Sequence, residues 1–96
     1  MEVIIKDGSN LYSDLRKAIE SNKIRSFEKA KVKGGLKIKH VGKDTPGWIN
    51  LHKQSGIIVA EVKCNVPDKE WKILQAFIGR MTDHFHEDIA CINIQF

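Results

Sequence analysis

Lys29-Ala30-Lys31-Val32-Lys33-Gly34-Gly35-Leu36-Lys37-Ile38-Lys39-His40-Val41 carries lysine at 29, 31, 33, 37 and 39 and an apolar residue at 30, 32, 36 and 38. A period of two is the spacing of a β-strand with one face in water and the other against a core. A two-residue hairpin at Gly34-Gly35 would set Lys33 opposite Leu36 and Lys31 opposite Ile38, mixing charge and hydrocarbon on both faces, so the pattern argues against it. Two registers remain. One has a three-residue loop at Gly34–Leu36 with Lys33 opposite Lys37; the other is a single long strand bent at the glycines. In either register the lysines share a face.

Outward from this stretch, Val41-Gly42-Lys43-Asp44-Thr45-Pro46-Gly47 has loop composition, and Trp48 to His52 alternates again with Ile49 and Leu51 on one side. Lys53-Gln54-Ser55-Gly56 reads as a hairpin turn. Ile57 to Cys64 starts as a continuous apolar run and becomes alternating, the pattern of a central strand whose second half reaches the sheet border. Before the lysine stretch, Val3-Ile4-Ile5 is a short buried strand closed by Asp7-Gly8. A helix follows with Leu11, Leu15, Ala18 and Ile19 on one face, Ser9 or Asn10 as its cap, and Ser21-Asn22 as its end. After Pro67, Asp68 is the expected cap of a second helix whose apolar face holds Trp71, Leu74, Phe77, Ile78, Met81 and Phe85. Ala90, Ile92, Ile94 and Phe96 alternate with Cys91, Asn93 and Gln95 in a last strand.

Strand, helix, several strands, helix, strand is the order of an α+β domain: a two-layer sandwich with two helices on one face of a mainly antiparallel sheet. The order of elements resembles the ferredoxin-like, split β-α-β arrangement, with an extra central β-meander. That fold hosts many unrelated functions, so the resemblance implies an architecture and no activity. In it the helices cover Val3, Ile5, Ile58, Ala60, Val62, Ile92 and Ile94. The opposite face shows Ile4, Ile57, Val59 and Cys91, an apolar patch expected to form a homodimer interface through the open face or an edge, unless the extra strands curl over it.

The chain has 96 residues, 42% hydrophobic and 29% charged, with seven glycines and two prolines, which excludes disordered, collagenous and low-complexity classes. Residues 1–96 read as one domain, large enough for one core and too small for two. No apolar run approaches the ~18–20 residues of a membrane span, and the start of the chain has no signal-peptide pattern. Two cysteines, Cys64 and Cys91, are too few for a disulfide scaffold, so the expected location is the reducing cytoplasm.

Net charge is +4, yet its balance is −1 over residues 1–22, +7 over 23–53 and −2 over 54–96. The basic excess sits in the lysine-rich third, which points to an acidic partner: nucleic acid, another polyanion or an acidic protein. The expected contacts are Lys31, Lys33, Lys37 and Lys39 on phosphates, Trp48 stacking a base, and His40 and Lys43 from the adjoining loop. A structural reading stands beside it, because lysines along an edge strand also discourage aggregation. Lys33-Gly34-Gly35-Leu36 begins like an RNA-recognition signature, but no aromatic follows at Leu36 or Ile38, so that module is excluded.

Other chemistry is thinly supported. Asp83-His84-Phe85-His86-Glu87-Asp88 contains metal-ligand types, but helical residues two apart point about 200° from each other, and no metal or cofactor is expected. Cys64 and Cys91 fall on opposite faces and non-adjacent strands, which argues against a disulfide. His52, Ser55 and Asp44 lack a nucleophile elbow and an oxyanion loop, and no catalytic residue is assigned. The alternatives to a binding module are a small enzyme or ligand-binding domain using His52, His84 or His86 in a cleft between sheet and helix end, and a purely structural homo-oligomeric subunit.

Overall fold

The chain reverses at Ser55-Gly56, where Gly56 adopts φ +73°, a left-handed conformation that costs glycine little. This turn joins β4 (Gly47–Gln54) to β5 (Ile57–Cys64) with Gln54 opposite Ile57 and Trp48 opposite Lys63. The computed structural model describes residues 1–7, 10–30, 35–41 and 46–96. The remaining elements are β1 (Glu2–Asp7), α1 (Leu11–Glu20), β2 (Phe27–Ala30), β3 (Leu36–His40), a 3-10 turn at Pro67–Lys69, α2 (Glu70–Phe85) and β6 (Ile89–Gln95). All six strands form one sheet in the order β2-β3-β4-β5-β1-β6, and every neighbouring pair is antiparallel. The protein is therefore an α+β domain, with a six-stranded antiparallel sheet and two helices among the described residues.

One face of the sheet supplies the core. Val3 and Ile5, Ile38 and Leu36, Ile49 and Leu51, and Ile58, Ala60 and Val62 pack with Leu11, Leu15 and Ile19 of α1 and Ile73, Phe77 and Met81 of α2. The alternation expected for β1, β4 and β5 holds residue by residue. Gly47 lies on this face, and a Cβ there would collide with Ile73 Cδ1 and the Lys63 carbonyl oxygen, so glycine lets α2 approach the β4–β5 pair. Ile92 packs partly on the core, whereas Ile94, expected under a helix, stays 38% exposed because β6 lies at the sheet's rim.

The lysine stretch departs from both expected registers. β2 pairs with β3 so that Phe27 faces His40, Lys29 faces Ile38 and Ala30 faces Lys37, the odd–even mixing that the lysine pattern argued against. Phe27 decides it. An aromatic ring removes far more apolar area from water than the methyl of Ala30, so β2 turns its odd positions inward, and Phe27 is 4% exposed. Lys29 is thereby carried to the helix side, away from Lys37 and Lys39, which occupy the open face. The lysines do not share a face; Lys31 and Lys33 lie outside the described residues.

Lys29 ends at α1 instead, its Nζ donating to Glu20 Oε1 at 3.0 Å while Arg16 Nε donates to the same oxygen at 3.3 Å. The Lys29 hydrogen bond first, and then that of Arg16, holds the Glu20 carboxyl below the ordinary glutamate range. A lowered folded-state pKa contributes stability above the unfolded value and loses it as pH falls through the folded one. Glu20→Gln is therefore expected to unfold at slightly lower urea than wild type at neutral pH. The two midpoints should converge as the pH falls through the lowered folded-state pKa and the carboxylate becomes protonated in both states. A gap that persists at low pH would show that these ion pairs are not its source.

Helix ends follow local chemistry, with two differences from expectation. Asn22 takes φ +57°, and its N–H and that of Lys23 donate to the carbonyls of Ile19 and Ala18, a Schellman ending with asparagine in the left-handed position. Ser21 Oγ adds a bond to the Lys17 carbonyl at 2.7 Å. At the other end Asn10 sits in the cap position but makes no side-chain cap; its carbonyl accepts from Asp14 N–H at 3.0 Å. Ser9 is outside the described residues. Asp68 does not cap α2 because the 3-10 turn intervenes and Lys69 precedes the first helical residue.

Trp71, expected in the core, is 48% exposed. At 100° per residue it stands about 120° around α2 from Phe77, past the edge of the buried stripe. That stripe is centred on Ile73, Phe77 and Met81. No helix among the described residues is long and apolar enough to cross a membrane.

Candidate functional site

Even positions of β4 point away from the helices, which brings Trp48 onto the open face of the sheet. Its two cross-strand neighbours there are Lys39 of β3 and Lys63 of β5. Lys37, one pair further along β3, places its Nζ 4.9 Å from the Trp48 ring centroid, a cation–π contact. The half-buried Trp48 is thus flanked by lysines on both neighbouring strands, with the Lys37 ammonium over its ring. Beside it is a cleft of about 290 Å³ bordered by Trp48, Lys37, Lys39, Ala30, Pro46 and Asn65. Ala30 opposite Lys37 leaves room that a larger side chain on β2 would fill.

Carboxylates stand beside these lysines on the same face. Glu28 stands opposite Lys39, and Glu61 Oε1 lies 3.7 Å from Lys63 Nζ. Glu61 also faces Glu2 across β1, a like-charge pair. Lys37 shares its cross-strand row with Glu61 and Glu2, and Glu28 ends the row of Lys39, Trp48 and Lys63, so both signs of charge interleave here. The cleft itself is bordered by two lysines, Lys37 and Lys39, and, among the described residues, by no carboxylate.

Four of the expected polyanion contacts can be placed. Lys37, Lys39 and Trp48 converge as described; Lys43, like Lys31 and Lys33, lies outside the described residues. His40 is corrected: it belongs to β3 and not to a loop, is 9% exposed on the helix side, and meets the Phe27 ring edge-on at 5.3 Å. Its even position in β3 put it inside with Leu36 and Ile38. Lys63 was missed, because the turn expected over Lys53–Gly56 is tighter in the structure, and the two-residue reversal at Ser55-Gly56 is what sets Lys63 opposite Trp48. Ala30, Pro46 and Asn65 had no sequence signal, because they come from three separate segments.

The expected interface residues share the open face. Ile4 pairs with Val59, while Ile57 and Cys91 lie on either side of Lys6. Polar groups interrupt them: His52 flanks Val59 and Asn93 flanks Ile4.

The histidines are scattered. His52 is exposed on the open face, whereas α2 ends on the opposite side of the sheet with His84 and His86 exposed. His86 Nδ1 donates to the Thr82 carbonyl at 2.9 Å, which requires the Nδ1–H tautomer. Among the described residues no group of three or more His, Cys, Asp or Glu side chains could hold a metal ion. Cys64 is on the helix side, its Sγ donating to the Pro46 carbonyl at 3.1 Å and accepting from Val66 N–H at 3.4 Å. Cys91 is exposed on β6, with β1 between the two thiol-bearing strands. Both thiols are free. Asp44 is outside the described residues, so the His52, Ser55 and Asp44 trio has no geometry to assess.

Comparison of this chain with protein-family models, with curated proteins and with solved structures finds no match.

Proposed function

We propose that this protein is a small non-catalytic binding module whose open sheet face takes up a polyanion, with single-stranded nucleic acid as the ligand. The observation that carries the reading is the convergence of Lys37, Lys39 and Lys63 on Trp48 beside a cleft. An indole stacks an unpaired base of any identity, and the ammonium groups neutralise flanking phosphates with release of counterions. Lys37 is the mobile part: it leaves the indole face for a phosphate as the base arrives. A duplex, whose bases are already stacked, offers nothing to Trp48.

The strand order supports reading the architecture as a two-layer ferredoxin-like sandwich. α2 links β5 to β6 with β1 between them, the split β-α-β unit, and β3 and β4 are the added meander. Two thiols that the sheet keeps apart suit a reducing compartment such as the cytoplasm.

Fluorescence anisotropy of labelled single-stranded RNA and duplex DNA tests the function. Three phosphate contacts give a salt slope near −2, so single-strand affinity should fall roughly 20-fold between about 50 and 200 mM salt, with duplex binding weaker at both. Absence of single-strand binding at the lower salt, or binding unchanged in a Lys37→Gln, Lys39→Gln, Lys63→Gln variant, would refute the reading.

A further inference from the structure

The two rims of the sheet differ. Among the described residues β2 spans Phe27–Ala30, carries Glu28 and Lys29, and is tied to α1 through the Lys29–Glu20 bridge. β6 is seven residues long, Ile89-Ala90-Cys91-Ile92-Asn93-Ile94-Gln95, without a single charge. Its outer edge has no strand partner among the described residues. Natural sheets blunt such edges with charge, proline or brevity, and β6 uses none of the three.

We infer that a second copy of this chain pairs with β6 edge to edge, antiparallel, about a twofold axis normal to the sheet. An axis so placed keeps each face on its own side, so every residue of β6 meets a residue of the same face. Ile92 and Ile94 meet on the helix side, and Cys91, Asn93 and Gln95 meet one another on the open side; at its start β6 is irregular, with Ile89 and not Ala90 paired to Asp7. No charged pair arises among these seven residues in any register the symmetry permits. Ile94, 38% exposed, becomes buried.

The same operation on β2 centres on Glu28 or Lys29 and sets like charges against each other. Association through β6 uses the permissive edge of both copies and leaves only the repulsive one. The assembly closes at two subunits rather than growing into a fibre. Twelve strands then form one sheet, and both Trp48 side chains lie on the same side of it, seven strand spacings or roughly 33 Å apart along the sheet. The pairing stands independently of any ligand at Trp48.

Sedimentation velocity of the full chain under reductant, over a wide concentration range, tests it. Wild type is expected to be a dimer. Ile94→Lys places a charge on each side of the shared edge and should raise the dimer dissociation constant at least about tenfold while the circular dichroism spectrum stays native. Cys91→Lys, exposed on the other side of β6, makes the same test should Ile94→Lys fail to fold. Val59→Lys, on the open face, should leave the dimer intact. A monomer at every concentration, an assembly larger than two, or a dimer broken by Val59→Lys and indifferent to the β6 variants would overturn the proposal.

Discussion

Trp48→Ala is expected to weaken single-stranded oligonucleotide binding roughly 5- to 150-fold, the range that corresponds to the ~1–3 kcal/mol a base–aromatic stack contributes. The fold should be nearly unaffected, because the indole lies on the open face and belongs to no part of the buried cluster. Removing the ring leaves all three lysines in place, so affinity should drop while the salt slope stays near −2. Lys37→Gln should do the reverse: a smaller loss of affinity with a slope shallower by about 0.7. Trp48→Phe keeps a smaller stacking surface and should fall between wild type and alanine. A Trp48→Ala variant that binds like wild type would leave the lysine cluster as a solvated surface, and a variant that flattens the salt slope would contradict the separation of roles.

Phe77→Ala is expected to cost about 3–5 kcal/mol, against a total stability of about 5–15 kcal/mol for a small domain. Phe77 is 2% exposed at the middle of α2's buried stripe, and its ring meets Phe27 edge-on with centroids 6.2 Å apart. Phe27 in turn holds His40 and sets which side of β2 faces in. The melting temperature should fall by more than roughly 12 °C. Hydrogen exchange should rise most at β2, whose anchor loses its partner. Trp71→Ala provides the contrast. The larger side chain is 48% exposed, and its loss should cost less than about 1 kcal/mol. Thermal melts of the two variants check both values, and equal losses would show that α2 is rotated from the orientation described.

These two experiments separate positions that periodicity treats alike. Trp71 and Phe77 both sit on an apolar stripe at helical spacing, and a stripe read from sequence has a width but no centre. The centre moved toward Ile73 because Gly47, on β4, admits the Ile73 side chain between the strands and the helix. That accommodation involves residues 26 positions apart in the chain and leaves no local signature.

What the sequence determined by itself is what depends on neighbours a few residues away. The strand character of residues 57–64, a turn within Lys53–Gly56 and the left-handed helix ending at Asn22 all follow from local backbone preference and a period of two. What only the tertiary structure decided is parity and exposure. Alternation says that Lys29 and Lys37 each lie across their strand from an apolar residue; it does not say which side of each strand turns inward. Phe27 outweighs Ala30 in β2, Leu36 and Ile38 prevail in β3, and the two strands pair with opposite parity. That contest is settled by how much apolar area each choice removes from water against helices elsewhere in the chain, and it sent Lys29 to Glu20, His40 into the core, and Lys37 and Lys39 to Trp48.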